Sequence, residues 1–300
     1  MTGVDIGAAA QLACLLEVSA PKPGNVSAGV SFGDTTYEDF LASAAAIGEP
    51  LGLAGSRPLG ATIQLAVRAT RRWTSTNTNL GIILLLAPLA RAASLLVRTE
   101  ARAIEPAALR ASLTKVLAES TVDDARAAYE AIRLASPGGL GSADAQDVAD
   151  EPTVTLLEAM RLAEGRDGIA REYATGFRAT FEIGVPALVA ARQAGLDWNN
   201  AIVQTFLTLL ATCADTHIIR RASRALAEDV TRQARDALHR GGVRSVDGRE
   251  AVDRLSASLR SERNLPNPGT TADITAAAIF VVLLAGGWQS RNGGSDAAPR

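Results

Sequence analysis

The sequence predicts an all-α protein built as a single multi-helix domain around a polar, loop-lined pocket. Its hydrophobic fraction is 47% but its aromatic fraction is only 4%, so its apolar residues are mainly Ala, Leu, Val and Ile, which suit close helix packing. Apolar positions recur with helical spacing in most segments, and no β-alternation of useful length is found in the sequence. We expect one all-helical domain over residues 1–288 and a disordered C-terminal tail over residues 289–300.

Prolines and capping residues divide the first half of the chain into helices. A helix is expected over residues 5–19, because Pro21 and Pro23 stop it. Thr35 and Glu38 have the spacing of a capping box for a second helix. The other helices expected in this half are 58–72, 82–97 with a bend or break near Pro88, and 106–119.

The second half continues the helical pattern, with one long exception. Thr121 and Asp124 are predicted to form a capping box for a helix over residues 123–135. Residues 136–150 lack helical periodicity and are expected to form a loop, and Thr270 and Asp273 are expected to cap a last apolar helix. The helices expected between them are 152–195 with an interruption near Gly184, 198–214, 216–240 and 248–261.

Charge and composition exclude several classes of protein. The net charge of -2 gives no basic excess for nucleic acid. The longest apolar runs, 80–90 and 274–285, are shorter than the ~20 residues that cross a bilayer, so we expect no membrane partner. Cys14 and Cys213 lie far apart in apolar helical segments and are expected to be buried free thiols. A reducing, cytoplasmic location is therefore expected, and the oligomeric state is left open, a homo-oligomer included.

Four polar islands interrupt this Ala- and Leu-rich chain, and we expect them to line one pocket. They are PKPGN at 21–25, NTNLG at 77–81, SPGGLG at 136–141 and DTH at 215–217. Lys22 is one of only two lysines, and the prolines on either side hold it in a fixed turn. Asn77 and Asn79 precede a strongly apolar helix. A helix cap explains one of these amides, and the second suggests contact with a ligand.

The polar residues of these segments suit phosphate and Mg²⁺ better than histidine-based metal chemistry. The sequence has only two histidines and contains no Walker, Rossmann or zinc motif. Oxygen-rich sites suit Mg²⁺ bound together with a phosphate, which makes Asp34 and Asp147 candidate metal ligands. Arg166 can pair with phosphate oxygens. Asp167, Asp215 and Asp273 also lie near helix ends and belong to the same oxygen-rich set. Simpler roles stay open: Asp34, Asp215 and Asp273 as helix caps, and Arg166 with Asp167 as a surface ion pair.

The order and spacing of these segments resemble the triphosphoribosyl-dephospho-CoA synthase family over nearly the whole chain. The segments that carry the resemblance are PKPGN at 21–25, DFLASA at 39–44, NTNLG at 77–81, PGGLG at 137–141, residues 164–173, DTHI at 215–218 and NPGTTAD at 267–273. No single motif is decisive, but their order along the chain is fairly specific.

The resemblance implies a catalytic domain that transfers the triphosphoribosyl group of ATP to 3'-dephospho-CoA and releases adenine. Such a transfer passes through an oxocarbenium-like transition state, which a carboxylate can stabilise, or a carboxylate can accept the proton of the attacking hydroxyl. Asp215 and Asp167 are the carboxylates implied in this role. The residues implied in nucleotide binding are Lys22, Asn25, Asn77, Asn79, Gly138, Gly139 and Arg166, with Mg²⁺ accompanying ATP.

Two motifs depart from the pattern of the citrate-lyase members. Those members usually read NTHKG and SPGGSAD where this chain has NTNLG and NPGTTAD, so Asn79 and Leu80 replace a histidine and a lysine. The forms found here resemble a divergent branch, part of which is associated with tetrahydromethanopterin-linked one-carbon metabolism. A related phosphoribosyl or nucleotide-dependent step in that pathway is therefore one alternative. A non-catalytic, nucleotide-binding helical protein is another.

Overall fold

The computed structural model describes residues 1–97, 103–260 and 266–288. Within these ranges the chain is helical and has no β-strand, apart from an isolated bridge between Ser27 and Val30, so the predicted all-α class is confirmed. The predicted tail, 289–300, lies outside the described residues. In chain order the α-helices are α1 Gly3–Ser19, α2 Tyr37–Ala46, α3 Gly48–Gly52, α4 Leu59–Arg71, α5 Leu80–Leu96, α6 Pro106–Ala118, α7 Val122–Ala135, α8 Leu156–Ala163, α9 Gly168–Thr175, α10 Val185–Gln193, α11 Trp198–Leu210, α12 Thr216–Arg221, α13 Arg224–His239, α14 Val246–Ser258 and α15 Gly269–Leu284.

Helices α5 and α15 form the centre of the molecule. Each is apolar on nearly all sides, and such a helix is stable only when other helices surround it. Helix α15 packs against α1, α5, α10 and α11, and α5 packs in addition against α4 and α6. In α15 every residue from Thr270 to Leu284 is buried except Asp273, which is partly exposed. No helix in the described part of the chain is long and apolar enough to cross a membrane.

Helix α5 runs without a break through Pro88, where a bend or a break was expected. Proline has no N–H, and the carbonyl of Leu84 therefore lacks its usual helical partner. The hydroxyl of Tyr173, on α9, donates to this carbonyl at 2.6 Å. This bond compensates for the proline, and it also fixes α9 against the central helix.

The capping predictions were right in kind and partly wrong in position. The Thr121–Asp124 capping box is confirmed, since the Thr121 hydroxyl accepts the Asp124 N–H at 3.1 Å. The box at α2 uses Thr36 and Asp39, one residue later than predicted, and Asp39 accepts the Thr36 N–H at 2.8 Å. An aspartate reaches back to the N-cap residue as well as the expected glutamate does, so the neighbouring Thr and acidic residues made the position ambiguous.

Two helix predictions in the C-terminal half of the chain were wrong. The expected helix over residues 216–240 is two helices, α12 and α13, because the Ser223 hydroxyl accepts the Leu226 N–H at 3.1 Å and starts a new helix. Helix α15 begins at Gly269, and its N-cap residue, Pro268, provides no side-chain hydrogen bond. Asp273 lies in the second turn of this helix and is not a capping residue. The interruption expected near Gly184 is present as a π-helical turn, Thr180–Gly184.

Candidate functional site

A cavity of about 1190 Å³ opens where α5, α9, α12 and α15 begin. Each of the four polar islands contributes to its lining, as predicted: Asn25, residues 77–81, residues 136–138 with Leu140, and Thr216 with His217. Four residues predicted for the site do not line the cavity: Lys22, Gly139, Asp147 and Asp215. The islands therefore meet at one place, but some of their charged side chains point elsewhere.

Asp215 joins the first turns of two helices. Its Oδ1 accepts the N–H groups of His217 at 2.8 Å and Ile218 at 3.2 Å, in the first turn of α12. Its Oδ2 accepts both the N–H and the hydroxyl of Thr271, on α15, at 2.7 Å each. The residue is 3% exposed. Both carboxylate oxygens are thus occupied by protein donors, and Asp215 acts as a cap for two helices at once.

Thr216 and Asp167 attach α9 to the same junction. The Thr216 hydroxyl accepts the Gly168 N–H at 2.9 Å and lies 3.0 Å from the Thr270 hydroxyl. Asp167 accepts two N–H groups of the first turn of α9, at 2.8 and 3.0 Å, through Oδ1. Its Oδ2 pairs with Arg220 of α12. We call Asp167, Asp215, Thr216, Thr270 and Thr271 the helix clamp.

Asp273 has a different environment although it lies on the same helix. It lines the cavity, and no residue in the described ranges donates a hydrogen bond to it or forms an ion pair with it. Its carboxyl lies against the backbone of α5 at Gly81, where a Cβ would overlap a carboxyl oxygen. Burial raises the pKa of Asp273 well above its ordinary value. Neighbouring carboxylates raise this pKa further, in the order Glu17, Asp215 and Asp167, whereas Arg220 lowers it.

His217 also lines the cavity, next to the start of α15. Its Nδ1 lies 2.7 Å from Oδ1 and 3.0 Å from the carbonyl oxygen of Asn267, and a Cβ at Gly269 would lie 2.7 Å from Nδ1. Because both Asn267 oxygens can only accept, Nδ1 carries the proton and Nε2 is left with a free lone pair. Burial lowers the pKa of His217; the charge of Asp215 opposes this shift and that of Arg220 adds to it. We call Gly81, His217 and Asp273 the cavity floor.

Arginines supply positive charge along the cavity wall. Arg221 lies against Gly138, and a Cβ at that glycine would overlap the guanidinium group. Neither Arg221 nor Arg224 pairs with a carboxylate in the described part of the chain, and both line the cavity. Arg166 lines it too and makes one long bond, 3.4 Å, to the Ser142 carbonyl. These guanidinium groups are available to an anionic ligand.

Lys22 does not contribute its charge to the cavity. Its ammonium group forms an ion pair with Glu17 at 2.9 Å, and it donates to the carbonyl oxygens of Glu17 and Ala20. The lysine side chain is fully buried. All three ammonium hydrogens are engaged, so this geometry does not support the predicted nucleotide contact. Glu17 itself lines the cavity, and Lys22 neutralises it from behind.

The predicted amides are all at the cavity, and each makes a contact within the protein. Asn77 Oδ1 accepts the Leu80 N–H at 3.1 Å and so caps α5. The Asn79 amide is 3.4 Å from the Ser43 carbonyl, and the Asn25 amide donates to the Pro23 carbonyl at 3.1 Å. Their role in nucleotide binding stays a prediction.

Of the predicted glycines and metal ligands, some line the cavity wall and others lie in the neighbouring loop. Gly138 lines the cavity, whereas Gly139, with φ of 75°, packs against the carbonyl of Arg220. Asp34 lines the cavity and is exposed. Asp147 instead holds the loop together, because its carboxylate accepts the N–H groups of Ala143 at 2.5 Å and Ala149 at 2.8 Å. These two bonds lower the pKa of Asp147.

The metal prediction receives no support from clustering. Within the described ranges, no three His, Cys, Asp or Glu side chains are grouped as metal ligands. Cys213, expected to be buried, is exposed and lines the cavity. The metal role of Asp34 and Asp147 stays a prediction.

The sequence left the role of one cavity carboxyl group open and missed another. Asp273 was considered both for an oxygen-rich site and as a helix cap, and it is the only charge in the apolar helix α15. Glu17 was given no role, although it stands five residues before the buried Lys22. The signal for Asp273 was its position as a lone charge in an otherwise apolar helix, because such a charge must face a partner or a polar cavity. Glu17 shares α1 with Asp5 and gave no such signal.

A family model described as ATP:dephospho-CoA triphosphoribosyl transferase matches residues 4–292 of the chain. Among solved structures, the chain is similar to that of a candidate triphosphoribosyl-dephospho-CoA synthase from Archaeoglobus fulgidus. The TM-score is 0.63 at 27% identity, over 83% of this chain and 100% of that one. The similarity of fold therefore extends over the whole of that protein.

Curated relatives match over a shorter stretch. A protein of Stutzerimonas stutzeri named probable 2-(5''-triphosphoribosyl)-3'-dephosphocoenzyme-A synthase is 37% identical over 119 residues, which are 38% of this chain and 39% of that protein. A protein of the same name from Pseudomonas paraeruginosa is 31% identical over 134 residues, 44% of this chain and 45% of that protein. These matches span less than half the length of the relatives.

Proposed function

Because the chain belongs to the family of ATP:dephospho-CoA triphosphoribosyl transferases, we propose that it transfers the triphosphoribosyl group of ATP to 3'-dephospho-CoA and releases adenine. The observation that carries the proposal is a cavity lined by three kinds of group that this reaction needs. They are guanidinium groups without a carboxylate partner among the described residues, the first turns of long helices, and carboxyl groups. The cavity volume of about 1190 Å³ suits two nucleotide-sized ligands.

The triphosphate is placed by this proposal at the side of Arg221 and Arg224. These two guanidinium groups have no carboxylate partner in the described part of the chain, and guanidinium binds phosphate oxygens through paired hydrogen bonds. The first turn of α5 lies on the same cavity and presents N–H groups with partial positive charge. The triphosphate would therefore meet positive charge without having to displace an existing ion pair.

Mg²⁺ enters this proposal with its substrate. A triphosphate carries most of the oxygen ligands that Mg²⁺ needs, and one protein carboxylate or none completes them together with water. Asp34 is the carboxylate proposed for this position, because it lines the cavity and is exposed. Asp147 is not, since its carboxylate oxygens are used within its own loop.

The direct test is adenine release. The protein is incubated with ATP, Mg²⁺ and 3'-dephospho-CoA, adenine is measured by chromatography, and the product is weighed by mass spectrometry. We expect adenine and a product equal in mass to dephospho-CoA plus the triphosphoribosyl group. Adenine release that requires a different acceptor would keep the donor half of the proposal and reject dephospho-CoA, and no adenine with any acceptor would reject both halves.

The triphosphate contact is tested with Arg221→Gln. Loss of a charge-assisted phosphate contact costs about 1.5–3 kcal/mol, which corresponds to a rise in the KM for ATP of roughly 10- to 150-fold. Arg232→Gln is the control, because Arg232 pairs with Asp229 on the surface of α13 and does not line the cavity. Equal KM values for the two variants would place the triphosphate elsewhere.

A further inference from the structure

The cavity floor contains two groups that the family relationship does not assign, and one of them, Asp273, differs from the other acidic groups at the cavity. Asp34 and Asp144 line the cavity but are exposed. Asp215 accepts four hydrogen bonds and Asp167 accepts two, besides its pairing with Arg220. Glu17 is neutralised by Lys22. A carboxyl group that must give up and regain a proton needs a free oxygen, and these three carboxylates have none or are already paired with a cation.

Asp273 meets that requirement. It lines the cavity, it is partly buried, and it receives no hydrogen bond from the residues that the structure describes. The absence of a side chain at Gly81 gives it the space it occupies. A carboxyl group left without donors in such a place gains little from ionisation, and a neutral carboxylic acid is a hydrogen-bond and proton donor.

His217, on α12, is the second titratable group of the cavity floor, and it lies against the face of α15 that carries Asp273. Its ring packs against Gly269, which is one helical turn from Asp273, or about 6 Å along the helix axis at 1.5 Å per residue. The Nδ1 proton is held by Asn267, so Nε2 can accept a proton. Two titratable groups whose environments favour their uncharged forms therefore line the same cavity, one beside the first residue of α15 and the other one turn later on that helix.

We propose that Asp273 donates a proton to the departing base of the nucleotide donor, and that His217 Nε2 accepts the proton of the attacking hydroxyl. This inference rests on the proposed function and names the groups that move its protons. The bond from C1' of the ribose to N9 of adenine breaks, and its electron pair stays on adenine, which takes the proton of Asp273. The acceptor oxygen bonds to C1', and its proton passes to His217. The proton on His217 then restores Asp273, so the cycle needs no other reactant.

The charges around this pair determine when it is in the correct form. Asp273 faces Glu17 from α1, Asp215 from the junction before α12, Arg220 from the last turn of α12 and Asp167 from the start of α9. Asp215 and Arg220 also act on His217. Burial and the carboxylates keep Asp273 protonated to a higher pH than usual, and burial keeps His217 neutral to a lower pH than usual. Activity should therefore fall on the alkaline side as Asp273 ionises and on the acid side as His217 protonates.

The experiment compares two leaving groups in the full-length protein. One donor is ATP, and the other is ribose 5'-triphosphate carrying 4-nitrophenol at C1', whose phenolate departs without protonation. Asp273→Asn should lower kcat with ATP by roughly 100- to 10,000-fold, the usual contribution of a proton donor, and should leave kcat with the nitrophenyl donor close to that of the wild type. His217→Gln should slow both donors, because both need the acceptor hydroxyl to lose its proton.

Three controls make the result decisive. Asp253→Asn removes an exposed carboxylate outside the cavity and should change neither rate. Calorimetric titration should show that Asp273→Asn still binds ATP, and the wild type is assayed first for adenine release. If the wild type releases none, the proposed function fails; if it does and Asp273→Asn matches it, the proton-donor role fails.

Equal losses with both donors would also overturn the proposal, since they would show a structural or binding role. If the wild type does not turn over the nitrophenyl donor, the pH profile with ATP decides. The alkaline limb of kcat should disappear in Asp273→Asn, and a limb that persists would show that another group donates the proton.

Discussion

The helix clamp and the cavity floor lie two residues apart on α15, and they use their polar groups in opposite ways. At the clamp, Asp215 is 3% exposed and each of its oxygens accepts two hydrogen bonds. At the floor, Asp273 accepts none from the residues described and faces the cavity. Because hydrogen-bond donors occupy both of its oxygens, the Asp215 carboxylate is part of the scaffold. Because no described residue donates to the Asp273 carboxyl group, that group is free to exchange a proton.

The same distinction applies to the cations around the cavity. Lys22 uses all its hydrogens on Glu17 and Ala20 and is fully buried, whereas Arg221 and Arg224 line the cavity without a carboxylate partner in the described ranges. The presence of a charged residue in a conspicuous motif therefore does not show that the charge meets a ligand. The number of its hydrogen-bonding positions already occupied is the better indicator.

The largest effect on stability should come from Lys22→Met. It leaves the Glu17 carboxylate buried without its cation, and breaking a buried pair on one side costs about 3–5 kcal/mol. Urea denaturation measures this, and the double variant with Glu17→Gln should recover much of the loss.

Lys115→Met is the matched control for that variant. Lys115 is exposed on α6, and such surface changes usually stay within about 0.5 kcal/mol. The sequence predicted that Lys22→Ala weakens nucleotide binding more than Lys115→Ala does. A Lys22 variant of normal stability with a raised KM for ATP would support that prediction and contradict the distinction between Lys22 and the arginines of the cavity.

Asp215→Ala should have the next largest effect. It leaves buried hydrogen-bond donors on Thr271 and Ile218 without an acceptor. Because each unpaired buried donor costs about 1–3 kcal/mol, we expect a loss of about 3 kcal/mol or more in the free energy of unfolding. Asp197→Ala is the control, because Asp197 is an exposed cap of one helix, worth about 0.5–2 kcal/mol. Equal losses would mean that the double cap adds nothing.

Asp215→Asn gives a finer version of the same comparison. The sequence alone suggested that this variant keeps its melting temperature, because asparagine caps a helix nearly as well as aspartate. The structure changes that expectation, since an amide has one acceptor oxygen and cannot serve both α12 and α15. We expect a lower melting temperature, measured by calorimetry, and an unchanged one would restore the simple cap.

Gly81→Ala tests whether the floor needs the space that Gly81 leaves. The new Cβ would overlap an Asp273 oxygen, and overpacking of this kind costs about 1–3 kcal/mol. With Asp273→Ala present, the same change should cost little or become stabilising, because alanine is a better helix residue than glycine. The coupling is read from a double-mutant cycle. Gly165→Ala, where a Cβ meets no atom within 4 Å, is the control.

The smallest effect should be a pH-dependent one at Asp273. Its pKa is raised in the folded protein, so the folded state holds this proton more tightly than the unfolded state does. Stability should therefore be lost as pH rises from the unfolded pKa towards the folded one. Asp273→Asn removes this loss. The difference in unfolding free energy, variant minus wild type, should grow as the pH rises above the unfolded pKa of Asp273, and a difference that stays constant would mean that Asp273 ionises freely.

Much of the fold was predictable because helix signals are local. The Thr121–Asp124 capping box, the proline stop after α1 and the apolar run of α5 each depend on residues within one or two turns. The errors were local ambiguities as well. At α2, neighbouring Thr and acidic residues allowed two possible capping boxes. At Ser223, a side-chain hydrogen bond starts a new helix, although the charge pattern and the helical periodicity continue through this position.

By itself, the sequence determined the all-helical class and the positions of the four polar islands. It also predicted that they meet at one cavity, because loops presented by a rigid scaffold carry function, and the structure confirms this meeting. Only the tertiary structure decided which charges face that cavity. Asp215 and Asp273 look equally like helix caps in sequence, and the Thr271 donors that occupy Asp215 are 56 residues away. Hydrogen bonds between such distant segments form only when the helices pack, so saturation, burial and the resulting pKa shifts cannot be read from neighbouring residues.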